Sequence, residues 1–183
     1  FERRDSLDPE IDKKTGQPAA TVPSVVQSNT RFAADLYAKL REEAGNIFFS
    51  PYSISAALAM TGSGARGKTA REISTVLGID VEDRSVHAAF GKLTGGLNER
   101  GGTGAFDLAV ASALWGQKGY TFLDSFFALN RECYGAGLSS VDFAGDTEGA
   151  RLTINAWTER ETHDRIKGLL APGILDSLTK MVL

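Results

Sequence analysis

One cysteine, Cys133, is all the thiol chemistry that this chain of 183 residues carries. A lone cysteine excludes an internal disulfide framework and any cysteine-rich zinc site, and it reads as a packed core thiol rather than a nucleophile. Charge of one sign is equally scarce. A net charge of −3 gives no general attraction for nucleic acid or for an anionic membrane surface. Apolar runs are too short to span a bilayer, and none forms the core of a signal peptide. There is no initiating Met, so the chain is expected to start after processing or at an engineered boundary. Catalytic motifs are missing too. No GxSxG elbow or HExxH pair occurs, and His87 and His163 each stand in a polar helical pattern with no acid and nucleophile beside them. Both read as surface or packing histidines, and no enzyme activity and no cofactor or metal is expected.

What is present suits one domain with a sizeable core: 42% of residues are hydrophobic and 23% charged. Residues 1–23 are the exception. They hold Arg3-Arg4, Lys13-Lys14 and several acids but little apolar content, and they read as a polar, mobile arm in front of a single domain over 24–183.

The most informative stretch is Asn46 to Gly78. Ile47, Phe48 and Phe49 form a short apolar run that reads as a buried strand, and it stops at Ser50-Pro51. That dipeptide starts a helix: the Ser50 hydroxyl caps free backbone N–H groups, and Pro51 fits the first helical position, where its missing N–H would have had no partner. Ile54, Ala57, Leu58 and Thr61 share one helical face, and Gly62, Gly64 and Gly67 end the helix in a tight connection. Thr69 with Glu72 forms a capping box for a second helix, with Ile73, Val76 and Leu77 inward and Gly78 closing it.

Gly62 to Thr69 also matches, letter for letter, the P-loop pattern in which backbone N–H groups hold phosphates, the Lys reaches them and the hydroxyl binds magnesium. That chemistry needs a buried β-branched strand before the first Gly. An Ala-rich helical pattern stands there instead, and no convincing partner carboxylate follows. A plain glycine-rich turn between helices is the better reading, with nucleotide binding as a distant alternative.

Elsewhere the pattern is regular. Ser24 and Gln27 read as a capping box for a helix through Asn29, Phe32, Leu36 and Leu40. Val86, Phe90, Leu93 and Leu97 mark another helix that runs into Gly101-Gly102-Thr103-Gly104. Phe106 to Trp115 alternates as a strand with both faces covered. Thr121 opens a helix with Phe122, Phe126, Leu129 and Cys133 on one stripe, ending near Gly135. Leu138 to Phe143 is a short strand, and Asp146 caps a helix with Ile154 and Trp157 inward and Glu148, Arg151, Glu159, Arg160, Glu161 and Asp164 in water. Lys167 to Ser177 is a loop. Leu178 to Leu183 begins an apolar strand, so a downstream segment or second chain is expected to complete the sheet.

Taken together, Asn46-Ile-Phe-Phe-Ser50-Pro51-Tyr-Ser53-Ile, Gly64-Ala-Arg-Gly67, Thr69-Ala70, Leu152-Thr-Ile154-Asn155-Ala-Trp157, Thr162-His163, Ile166 and Leu175 to Leu183 resemble the serpin family. The matches keep their order across most of Thr30 to Leu183. The resemblance implies an α+β fold, the amino-terminal portion of a serpin, with several helices around a central, mostly antiparallel sheet. It implies a serine protease inhibitor, or less readily an inhibitor of cysteine proteases or a non-inhibitory carrier or chaperone, in an extracellular or alternatively an intracellular setting. In that family an exposed reactive loop is cleaved, inserts into the sheet and traps the protease as an acyl-enzyme. The reactive loop is not in this chain, and the remaining carboxy-terminal serpin segment is the expected partner. Residues matching Ser50, Pro51 and Ser53 form the family's shutter, and the helix bearing Ile154, Asn155 and Trp157 lies across the sheet. Some serpins bind sulfated polysaccharide on the helix corresponding to Val86 to Leu97. Here Arg84, Lys92 and Arg100 are mixed with Glu82, Asp83 and Glu99, and no heparin-like cofactor is expected.

Overall fold

Helix α1 (Val22–Leu40) starts two residues before the expected cap Ser24, inside the stretch assigned to the arm. The computed structural model describes residues 19–101 and 106–183; most of the polar arm and the Gly102-Thr103-Gly104 run lie outside the described residues. Thr21 and Ser24 form the capping box: the Ser24 N–H donates to Thr21 Oγ1 at 3.3 Å, and the Thr21 N–H donates to Ser24 Oγ at 2.9 Å. Pro23 sits in the first turn, where a missing N–H costs nothing. This reciprocal pair displaces Ser24 and Gln27 as the cap.

The chain forms two compact units, Phe1–Lys92 and Leu93–Leu183. In the first, α1 packs on α2 (Pro51–Gly64) and α3 (Gly67–Leu77). Val25 and Phe32 of α1 are buried, and Ser55 Oγ donates to Asn29 Oδ1 at 2.8 Å. The buried face of α2 is Ser55, Ala56, Ala59 and Met60 rather than the expected Ile54, Ala57, Leu58 and Thr61. Apart from Met60 the side chains on this face are small, which lets the α1 and α2 backbones approach, and Ile54 is left exposed. Gly62 is buried inside α2. A Cβ there would stand 2.8 Å from Val81 Cβ, so only a glycine fits.

Helix α3 begins at Gly67, so Thr69 falls at its third position and caps nothing; the cap residue is Arg66, whose side chain makes no capping bond. Ala70 and Leu77 are its buried residues, whereas Val76 is exposed. Gly78 ends the helix as expected, at φ +67°, a left-handed conformation that glycine adopts freely. The helix α4 (Arg84–Gly101) buries Val86, His87, Ala89 and Phe90. Tyr52 stacks on Phe90 with centroids 6.1 Å apart. Burying Phe90 contributes about 1.5 to 3 kcal/mol.

The expected strand at Ile47 to Phe49 is not formed. No strand pairs with this run among the described residues, so its backbone has no ladder, and Phe48 is fully exposed.

The second unit holds a three-stranded sheet in the order β2-β1-β3, made of β1 (Leu114–Gln117), β2 (Leu138–Val141) and β3 (Met181–Val182). The β1–β2 pair is parallel, with Leu114 opposite Leu138, and the β1–β3 pair is antiparallel, with Trp115 opposite Val182. Among the described residues the sheet is therefore mixed, with one parallel and one antiparallel pair, as part of the α+β fold expected. The long strand expected from Phe106 shrinks to four residues. Phe106 and Leu108 are exposed, while Leu114 and Trp115, on opposite faces, are both buried. Both faces are covered only there. Val110 finds a substitute for a strand neighbour in Asn98, whose amide accepts from its N–H at 2.7 Å and donates to its carbonyl at 3.0 Å.

Between β1 and β2 lies α5 (Asp124–Tyr134), which starts after Leu123 rather than at Thr121 and ends at Gly135. Cys133 is buried. Helix α6 (Thr147–Glu161) packs on the sheet, with Trp115, Phe143, Ala150 and Ile154 forming the core. Among the described residues no helix is long and apolar enough to cross a membrane, and no group of three or more His, Cys, Asp or Glu could hold a metal ion.

Candidate functional site

The residues that the sequence singles out fall in two groups, one in each unit. At the start of α2, Ser50 Oγ accepts from the Ser53 N–H at 3.2 Å and lies 2.9 Å from Ser53 Oγ. Pro51 occupies the first helical position. The cap reading is thus correct, and both serines are exposed. Their hydroxyls bond to each other rather than to a buried partner.

The P-loop alternative fails on geometry. Gly62 and Gly64 belong to α2, only Ala65 and Arg66 separate it from α3, and the helix-to-helix turn forms no phosphate cradle after a strand. Lys68 pairs with Glu72 at 3.6 Å on an exposed helix face.

On α6, Asp146 caps the helix by accepting from the Gly149 N–H at 2.9 Å. Ile154 is buried in the sheet-facing core, and Trp157 packs at its margin. Asn155 is buried and faces the loop that follows the helix: its Oδ1 accepts from the Leu170 N–H at 2.8 Å, and its Nδ2 donates to the Leu170 carbonyl at 3.0 Å. Arg151, expected in water, is turned inward with its side chain 11% exposed. It donates through Nε to Glu148 Oε2 at 2.8 Å and through Nη1 to the Leu170 carbonyl at 2.7 Å. The hydrogen bond from Arg151 lowers the Glu148 pKa below the usual carboxylate value. A helical wheel assigns Arg151 to a solvated face; only the folding-back of the loop reveals its partner.

At the end of β1, Gln117 ties the strand to the turn after β2, donating to Asp142 Oδ1 at 3.1 Å and accepting from the Ala144 N–H at 3.0 Å. The Gly145 N–H, followed by Gln117, holds Asp142 below its ordinary pKa. His87 is a packing residue: Nε2 donates to the Val81 carbonyl at 2.9 Å. Burial lowers its pKa, against the opposing effect of that carbonyl. His163 is exposed, in a left-handed conformation at φ 47°, with Nδ1 3.5 Å from Asp107 Oδ2. No nucleophile accompanies either histidine in a catalytic arrangement among the described residues.

A short mixed sheet with α6 packed on it, and a Ser-Pro-capped small-residue helix earlier in the chain, make up a serpin-type scaffold. The chain belongs to the serpin family: the family model described as Serpin (serine protease inhibitor) matches residues 27–183. Among curated relatives, the leukocyte elastase inhibitor of Bos taurus is 48% identical over 158 residues, which are 85% of this chain and 41% of the relative. The leukocyte elastase inhibitor of Homo sapiens is 44% identical over the same share of each. The solved structure of ovalbumin from emu, Dromaius novaehollandiae, superposes with a TM-score of 0.75 at 27% identity, covering 86% of this chain and 44% of that one. The chain thus spans less than half the length of the relatives it matches.

Proposed function

We propose that the protein containing this chain inhibits serine proteases by suicide trapping, and that the chain supplies the scaffold for it. The single observation that carries the reading is the continuous likeness, at 44 to 48% identity, to leukocyte elastase inhibitors over 158 residues. A target of the elastase kind follows from those names. Cysteine proteases are the less favoured targets. In the proposed mechanism the protease serine attacks the scissile carbonyl of a reactive loop, forming an acyl ester and releasing the new amine. The loop then joins the central sheet as a strand before water can hydrolyse the ester. The native fold is held short of its most stable state, and that difference drives insertion.

Ser50, Pro51 and Ser53 are proposed as the shutter. The support is chemical: two adjacent hydroxyls at a helix start can exchange partners when a neighbouring strand moves, which apolar side chains cannot do. Ile154, Asn155 and Trp157 are proposed as the face by which α6 bars the sheet. The remaining carboxy-terminal segment is the proposed intramolecular partner. An extracellular setting has no support in the relatives' names and forms no part of the proposal.

The test titrates leukocyte elastase with the full-length protein. Activity falling to zero at a fixed stoichiometry, without recovery on dilution, is expected. Turnover of the protein as an ordinary substrate, with activity retained, would leave a non-inhibitory serpin.

A further inference from the structure

The inward turn of Arg151 is not required by the fold of α6, which the Asp146 cap and the Ile154 face already secure. Its guanidinium makes a two-pronged pair with Glu148, Nε to Oε2 at 2.8 Å and Nη2 to Oε1 at 2.5 Å, which fixes the plane of the fork. The remaining prong, Nη1, reaches the Leu170 carbonyl at 2.7 Å. Asn155 donates to the same carbonyl and accepts from the Leu170 N–H. Both backbone polar groups of Leu170 are therefore held by side chains of α6, where a sheet strand would use a neighbour. The loop around it has no helix or strand of its own, and Leu170 and Leu175 pack against the same core cluster as Val182 of β3.

A loop without a backbone ladder opens when its side-chain grips yield. From this geometry we infer that Glu148, Arg151 and Asn155 form a latch that keeps the loop after α6 closed over the sheet, and that its release limits the rate at which a strand can enter. The second half of this inference rests on the inhibitory reading above; the first does not. Arg151 is a positioning residue here. It acts through Leu170 and touches no protease.

The experiment uses the full-length protein as wild type, Arg151→Met, Arg151→Lys and the exchanged pair Glu148→Arg with Arg151→Glu. Amide hydrogen exchange across residues 168–171 reads the latch, and the rate of trapping leukocyte elastase reads insertion. Arg151→Met should exchange there about tenfold faster, as expected for losing a charge-assisted hydrogen bond. The exchanged pair keeps opposite charges but puts an acceptor where the donor stood, so it should behave like Arg151→Met, with Arg151→Lys between it and wild type. Trapping should accelerate in the same order. Unchanged exchange in Arg151→Met overturns the latch. Faster exchange with an unchanged trapping rate overturns its link to insertion. If wild type traps no protease, the inhibitory reading fails while exchange still decides the latch. Should Arg151→Met not fold, Arg151→Lys carries the same comparison.

Discussion

Trp157 of α6 meets Trp115 of β1 edge-on, with ring centroids 6.0 Å apart and 76° between the planes. Trp115 is buried and Trp157 lies at the core margin, so the pair is the aromatic seal between helix and sheet. These are the chain's two tryptophans, so its indole signals report on this contact. Trp157→Ala should cost about 2 to 4 kcal/mol, somewhat below a fully buried aromatic truncation. Near-ultraviolet circular dichroism should lose the coupled indole band in either single variant. A band that survives Trp157→Ala unchanged would mean that the rings are not in contact in solution.

The contact of Gly62 with Val81 makes a sharper packing prediction. Gly62→Ala gains about 1 kcal/mol of helix propensity but overpacks against Val81, at a cost of about 1 to 3 kcal/mol. The net effect is a loss. In a Val81→Ala background the space opens, and the same substitution should become neutral or stabilising. Equal losses in both backgrounds, measured by urea unfolding, would rule out the clash as the cause.

His87 gives a pH dependence with a defined sign. Its folded pKa lies below the ordinary value of 6.5 because burial disfavours the imidazolium. The unfolded chain therefore binds the proton first, and stability is full above pH 6.5 and declines as pH falls below it. This decline precedes carboxylate titration. His87→Gln should flatten the urea midpoint between pH 7.5 and pH 5.5; a midpoint in wild type that does not change over that range would contradict the assignment.

The serines at the start of α2 should separate cleanly. Ser50→Ala removes the acceptor of the Ser53 N–H and should cost about 0.5 to 2 kcal/mol. Ser53→Ala removes only an exposed bond between hydroxyls and should cost less than about 1 kcal/mol. A role for Ser53 in sheet opening would therefore show in the full-length protein as faster heat-induced polymerisation with little loss of stability. Unchanged polymerisation would leave Ser53 an ordinary helix residue.

Local chemistry explains what could be read in advance. Ser50-Pro51, Gly78, Asp146 and Gly135 fix helix ends through hydroxyl, carboxylate or left-handed geometry, and each end was legible from its own residue. Failures occur where a tertiary neighbour decides. Ile47 to Phe49 and Phe106 to Ala113 have strand composition but no ladder partner among the described residues. Small residues and Met60, not Ile54 and Leu58, take the buried face of α2, where α1 comes close to it. Arg151 has surface spacing on the helix, and only the return of Leu170, 19 residues later, turns it inward.

The most direct measurement is a denaturing gel of the full-length protein mixed with leukocyte elastase. The account predicts a band heavier than either component that survives boiling in detergent, because an ester joins them, and that disappears after treatment with hydroxylamine. Complete cleavage of the protein into two fragments, with free elastase and no heavier band, would contradict it.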